Sequence, residues 1–214
     1  MIAVIKGDII GSRRISDTSA WLQPLKRQLQ KWGKTTKNWD LAWGDAFQLE
    51  IADPAQALHA AFSIKASLKS IAPPEPGKQN GLVDVRMSIG IGEKRFNGKN
   101  VAESNGPAYV LSGEYFEQLK KAKVTLLIAT PWPDFNEEMN LLLKLGLLFM
   151  DKWSVSSAEL VKLLLEHPEM TQTAAGKKLG IGQSSVSNRW TISHAEEMLQ
   201  IEKMYRQKLK KRLK

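Results

Sequence analysis

The sequence predicts an α+β protein in two parts: a sheet-and-helix domain over residues 1–150 and an all-α domain over 151–214. Three observations predict it. Short alternating apolar runs recur through the first 130 residues, with helical stripes between them. One pair of those runs is joined by a tight "GD" turn, which marks a hairpin. After Pro131 and Pro133 every periodic segment has helical spacing.

Residues 2–10, within "MIAVIKGDII", read as a strand that ends on a carboxylate, Asp8. A helix follows, entered at Ser16 or Asp17, with Trp21, Leu22, Leu25, Leu29 and Trp32 on one stripe and Gly33 at the stop. "NWDLAW" and "AFQLEI" alternate on either side of Gly44-Asp45. Asp53-Pro54 opens a second helix, with Pro at its first position, running to about Ile71. "APPEPGKQNG" reads as an exposed loop. "LVDVRMSIGIG" is a strand with Val83, Val85, Met87 and Ile89 on one face, and Arg86 either faces out or pairs with a carboxylate. A loop and helix over "ESNGPAYVLSGEYFEQLKK" and a strand "VTLLIAT" complete the part. The first six elements give the order β-α-β-β-α-β, the ferredoxin-like split arrangement, with an antiparallel sheet and helices on one face. "MNLLLKLGLLFM" is too short to cross a bilayer and reads as a buried helix.

In such a unit the first strand lies beside the hairpin, which brings Asp8 near Asp45. Two carboxylates on adjacent strand ends form an oxygen-rich site for Mg²⁺ or Mn²⁺, completed by substrate phosphates. Gly11 and Ser12 offer backbone access there, and Arg13 and Arg14 are placed to hold phosphate. The competing reading makes both aspartates turn residues, which bond their own backbone. Ser104, Asn105, Gly106 and Ser112 present hydroxyls and N–H groups either to a ligand or as caps of the next helix. The histidines, His59, His167 and His194, are too scattered for a metal site, and no Walker A motif, nucleophile elbow or dinucleotide fingerprint is present.

"GDIIGS", "WGDAFQLEI" and "VDVRMSIGIGE" resemble the core of class III nucleotide cyclases and the related palm domains of diguanylate cyclases. "KGDIIGSR", "GDAFQLEI", "VRMSIGIGE" and "ESNGPAYVLSGEYF" resemble the SatD family of small bacterial proteins more closely, over most of residues 1–130. The resemblance implies a cyclase/palm-type domain with Asp8 and Asp45 as metal aspartates. It departs where the cyclases carry a substrate-orienting Asn and Arg: counted from Gly106, those positions hold Val110 and Glu114. A glutamate there repels a triphosphate, so the resemblance carries fold and metal site but not cyclase activity.

"MTQTAAGKKLGIGQSSVSNRW" has the spacing of a helix-turn-helix. Ala174, Ala175 and Leu179 face inward on the first helix, Gly180 makes the turn, and Val186 and Trp190 face inward on the second. Gln183, Ser184, Ser185, Ser187, Asn188 and Arg189 form the outward face, suited to base edges and phosphates. The segment resembles the helix-turn-helix of sigma-factor and response-regulator families. A preceding helix, about Ser157 to Glu166, completes a three-helix core. Such proteins read paired half-sites, so a homodimer on double-stranded DNA is expected. The last helix, with Met198, Ile201, Tyr205 and Leu209 on one stripe, either pairs with a second copy or packs back. A helical hairpin for protein contacts is the competing reading.

Charge agrees with this division. Residues 1–150 hold 19 basic and 15 acidic side chains, a net of +4, while residues 151–214 hold 12 and 7, a net of +5. The tail "KMYRQKLKKRLK" carries seven cations and no carboxylate. Such an end favours nucleic acid or an acidic surface, or is a solvated helix face. The chain has no cysteine, and Asp8 interrupts the only early apolar run, so a cytoplasmic protein without a secretory leader or membrane span is expected.

These readings lead to a DNA-binding transcriptional regulator whose first domain senses a nucleotide or phosphate ligand or oligomerises. A metal-dependent nucleotidyl cyclase or transferase-like enzyme is the alternative, and a scaffold that only dimerises is the third.

Overall fold

The computed structural model describes residues 1–14, 17–42, 44–73 and 83–214; the side chain of Arg14 lies outside the described set, as do Ser16, Trp43 and most of the "APPEPGKQNG" loop. The protein is a mixed α+β structure with one five-stranded sheet of order β2-β3-β1-β4-β5. The strands are β1 (Ile2–Ile10), β2 (Trp39–Ala42), β3 (Ala46–Ile51), β4 (Asp84–Gly92) and β5 (Leu126–Ala129). β1 is central and antiparallel to both β3 and β4, and β5 is parallel to β4. The helices are α1 (Ser19–Gln30), α2 (Ala57–Lys69), α3 (Pro107–Ala122), α4 (Pro133–Met150), α5 (Val155–Glu166), α6 (Gln172–Leu179), α7 (Gln183–Ser193) and α8 (Ala195–Arg212).

Alternation along the strands divides the sheet into two unlike faces. Ala3, Ile5 and Ile9 of β1, Phe47, Leu49 and Ile51 of β3, and Val85, Met87, Ile89 and Ile91 of β4 join Trp21, Leu25 and Leu29 of α1 and Leu58, Phe62 and Leu68 of α2 in the core. The other face carries Lys6, Asp8, Gln48, Glu50, Arg86 and Ser88. The helices of the first six elements, α1 and α2, share the apolar face, and α3, which follows them in the chain, takes the other. α3 covers the polar face: Ser88 donates its hydroxyl to the Ser112 carbonyl at 2.6 Å, and the Lys6 ammonium sits 5.4 Å from the centre of the Phe116 ring. Gly90 makes this approach feasible, because a Cβ there would lie 2.2 Å from the Ala108 carbonyl oxygen.

Local signals account for the helix ends. Asp53 accepts a hydrogen bond from the Ala55 N–H, and Pro54 opens a short 3₁₀ turn that runs into α2. Ser154 caps α5 and Thr171 caps α6 through their hydroxyls. Asp17 lies just ahead of α1 and accepts from the Ser19 N–H.

α4 ends at Met150, where the sequence suggests a boundary, but the core does not break there. One contiguous cluster includes residues from β1 to Leu209. Polar contacts cross the same line. The fully buried Lys65 ammonium lies 2.7 Å from both Asp84 Oδ1 and Asp151 Oδ1, and Lys69 donates to the Asp151 carbonyl at 2.9 Å. α8 packs back on the molecule: Met198, Tyr205 and Leu209 are buried, and the Tyr205 hydroxyl donates to the Pro54 carbonyl at 2.7 Å. α4 is only half buried. Phe135, Met139, Leu143, Leu147 and Met150 face inward, while Leu141, Leu145 and Leu148 are exposed.

Candidate functional site

The carboxyl end of β1 and the β2–β3 turn meet in one open pocket of about 450 Å³, lined by Asp8, Ile9, Ile10, Gly11, Ser12, Arg13, Asp45 and Arg86. Strand pairing builds it. Asp8 is the cross-strand partner of Ala46 on one side and Arg86 on the other. The Ile9 N–H donates to the Asp45 carbonyl at 3.1 Å, which extends the ladder to the turn. Gly11 then takes a left-handed φ of 84° and turns the chain into the short 3₁₀ helix Ser12–Arg14.

Within the pocket the charges are already engaged. The Arg86 guanidinium forks onto Asp8, with Nε 2.9 Å from Oδ1 and a second bond from its terminal nitrogen to Oδ2. This hydrogen bond, with the negative charges of Asp8 and Asp45, raises the Arg86 pKa above its ordinary value against the opposing effect of burial. Ser12 donates its hydroxyl to Asp45 Oδ2 at 2.7 Å. Two carboxylates thus stand beside two cations, Arg86 and the exposed Arg13. Each carboxylate has about four lone-pair directions, so these bonds leave oxygen valences for another donor or ion.

Among the described residues no group of three or more Asp, Glu, His or Cys is placed to hold a metal. The Asp8 and Asp45 set matches the mode in which Mg²⁺ takes one or two carboxylates together with phosphate oxygens and water, and does not form a cage for a bare ion.

Ser104 and Gly106, grouped with this site on sequence grounds, lie at the opposite end of the sheet. Asp8 pairs with Arg86, whereas Gly106 lies against Glu93 and Arg95, beyond the far end of β4. Six residues of strand, about 20 Å, separate Arg86 from Gly92. Ser104 is buried and structural: its hydroxyl accepts from the Gly98 N–H at 3.1 Å and donates to the Asn100 carbonyl at 2.9 Å. Gly106 lines a separate, mostly apolar cavity of about 560 Å³ with Arg95, Phe96, Pro107 and Val110. Val110 belongs to that end, away from Asp8 and Asp45.

Two polar clusters escaped the sequence reading. Glu50, nearly buried, takes the Lys94 ammonium at 2.7 Å and the Tyr109 hydroxyl. Burial, and then that hydrogen bond, raise the Tyr109 pKa. The other is the Lys65, Lys69, Asp84 and Asp151 group. The only available signal was a lysine at helical core spacing on α2, where periodicity points inward but the residue type argues for the surface.

The second candidate surface is built by α5, α6 and α7. Gly180 has a left-handed φ of 67° and ends α6. Gly176 lies where α6 meets the turn, with its Cβ position 2.9 Å from the Ile181 carbonyl oxygen and 3.4 Å from Val186. Ala175 and Val186 are buried and Trp190 is half-buried, but Ala174 is exposed, because Gly176 takes the inward position beside Ala175. Gln183, Ser184, Ser185 and Asn188 are exposed and Ser187 is half-buried. Arg189 turns back onto α5, with its guanidinium nitrogen 3.0 Å from Glu159 Oε2.

The basic tail is also partly committed. Lys208 pairs with Glu138 at 2.9 Å, Arg212 pairs with Asp134, and Arg206 pairs with Glu202 at 2.6 Å. Lys203, Lys210, Lys211 and Lys214 are exposed. Among the described residues no helix is long and apolar enough to cross a membrane. No protein-family model matches the chain, and comparison with curated proteins finds no match.

Proposed function

We propose that the protein is a DNA-binding transcriptional regulator, with α6 and α7 as its helix-turn-helix and the pocket at the end of β1 as the site of a nucleotide or phosphate ligand. The observation that carries this reading is the exposed run Gln183, Ser184, Ser185 and Asn188 at the start of α7, beside the tight Gly180 turn. The amino-terminal residues of a recognition helix reach base edges in the major groove, and short hydrogen-bonding side chains suit that task. The strand order β2-β3-β1-β4 supports the ferredoxin-like, cyclase/palm-type reading of the first part, and the resemblance to the SatD family remains with that reading. Binding of a 30-base-pair duplex, followed by fluorescence anisotropy across a salt series, tests the proposal. Affinity should fall steeply and linearly in a log–log plot, and Asn188→Ala should weaken it. Duplex affinity that is absent or independent of salt overturns it.

A second reading, metal-dependent nucleotidyl transfer, is favoured by the meeting of Asp8, Asp45, Ser12 and Arg13 in one pocket. There Asp8 and Asp45 would hold Mg²⁺ or Mn²⁺ against substrate phosphates, and Arg13 would bind a phosphate oxygen. Incubation with each nucleoside triphosphate and either metal, with Asp45→Asn as control, tests it. Catalysis needs donors aimed at developing charge, and Val110 and Glu114 supply none. Sensing needs only a difference in affinity between two states, which is why regulation is preferred.

A further inference from the structure

β5 is one of the two edges of the sheet, and its sequence is a hazard in that place. Residues 124–130, "VTLLIAT", are seven uncharged residues, four of them β-branched, with no Gly or Pro. Such a segment on an open edge templates strand addition by other chains and cross-β association. Lys120, Lys121 and Lys123 precede it and Pro131 and Pro133 follow it, as gatekeepers flank strands of this kind. The opposite edge, β2, has only four residues and carries Asp40.

Register identifies the backbone groups at risk. The Thr125 carbonyl accepts from the Met87 N–H of β4 at 2.8 Å. By alternation, Ile128 and Thr130 turn their N–H and C=O groups away from the sheet. α4 meets these groups with side chains. Asn140 Oδ1 accepts from the Ile128 N–H and its Nδ2 donates to the Ile128 carbonyl, both at 2.8 Å. Asn136 treats Thr130 in the same way, again with two bonds of 2.8 Å. Each amide exchanges two hydrogen bonds with one residue, as the opposite residue of an antiparallel strand does. The spacings match, because four helical residues rise about 6 Å and two strand residues about 6.6 Å. Asparagine is a weak helix former, so helix propensity does not account for two of them one turn apart in α4, whereas the edge does.

We infer that Asn136 and Asn140 serve as a surrogate sixth strand, which closes β5 to strand addition by the same segment of a second copy. The inference is independent of the DNA and nucleotide readings. The full chain carrying Asn136→Leu/Asn140→Leu, which keeps side-chain branching but offers no hydrogen bond, is compared with the native chain well below the thermal midpoint. By sedimentation velocity and thioflavin T fluorescence, the variant should form larger, dye-binding species and the native chain should not. Leu25→Ala, a truncation in the buried core that also lowers the midpoint, should keep the native profile. Amide exchange by NMR keeps the inference testable where the double variant does not fold. Asn140→Leu alone should speed exchange at Ile128 at least about tenfold while Thr130 stays protected, and Asn136→Leu should do the reverse. A double variant with the native sedimentation profile, a Leu25→Ala control that associates equally, or unchanged exchange at both amides in the single variants overturns the inference.

Discussion

Arg86 and Asp8 are direct cross-strand partners on β4 and β1, and the guanidinium of one grips both oxygens of the other. The sequence left Arg86 either facing out or paired; the pairing follows from register, since both side chains lie on the face under α3. Their side chains are 28% and 21% exposed, so the pair is screened and its net contribution is about 1 kcal/mol. A double-mutant cycle with Arg86→Met and Asp8→Asn in urea denaturation should return a coupling of that size. In the proposed ligand site the fork also holds Asp8 in place. With Mg²⁺ and ATP as probe, Arg86→Met and Ser12→Ala should each weaken binding about tenfold by calorimetry. Unchanged ATP affinity in both variants removes the nucleotide reading of this pocket.

The buried hydroxyl of Tyr205 joins the last helix to the start of the 3₁₀ turn before α2, through the Pro54 carbonyl. Burial holds the phenol well above its ordinary pKa, so it stays a donor throughout the physiological range. Tyr205→Phe removes this bond but leaves the one that the Pro54 carbonyl accepts from the Ala57 N–H, so the cost is that of one hydrogen bond, about 0.5–1.5 kcal/mol. In a protein of this size the midpoint should fall by roughly 2–4 °C per kcal/mol. Because the core is continuous across Met150, unfolding of both the native protein and the variant should appear as a single transition by near- and far-ultraviolet circular dichroism. Two separated transitions would refute the shared core.

What the sequence made legible follows from how local each cause is. The strand of Asp8, the hairpin around Asp45, the Asp53-Pro54 helix start and the Gly180 turn are written in residues a few positions apart. The packing of α3 on the polar sheet face is not, because it depends on Gly90 meeting Ala108 and Ser112, which periodicity does not pair. The same limit grouped Ser104 and Gly106 with Asp8, though the β4 register separates them. It also assigned all of "MNLLLKLGLLFM" to the interior, because a helix leucine-rich on every side does not reveal which side the neighbours cover. Lys65 was illegible for a related reason: its burial depends on Asp151, 86 positions away in the chain.

His59 faces Trp32 edge-on at 6.2 Å and lies in a cleft with Glu202 and Arg206 of α8 and Glu169 after α5. Burial is the largest cause of its lowered pKa; the charges of Arg206 and Lys31 act in the same direction and Glu202 opposes them. The folded state therefore disfavours the proton. The associated stability is fully present above the ordinary value of 6.5 and is lost as pH falls through 6.5 towards the lower folded value. Urea midpoints measured from pH 8 to pH 5 should decline in the native protein, and the decline should be smaller in His59→Gln. Equal slopes in the two proteins would contradict this assignment.

The ion pair of Arg189 with Glu159 sets two opposing expectations on the proposed DNA surface. At 3.0 Å, with 24% and 52% of the side chains exposed, the pair is too solvated to matter much for folding. It does hold the guanidinium against α5 and away from an approaching phosphate. Glu159→Gln removes both the holding charge and a repulsive one, so duplex affinity should rise by a few fold at low salt. Arg189→Ala should lower affinity about tenfold and reduce the salt slope by about one, as expected for one lost phosphate contact. Anisotropy titrations at four salt concentrations distinguish these outcomes. If Glu159→Gln weakens binding instead, the pair is needed to position α7, and Arg189 acts through the helix rather than on the phosphate.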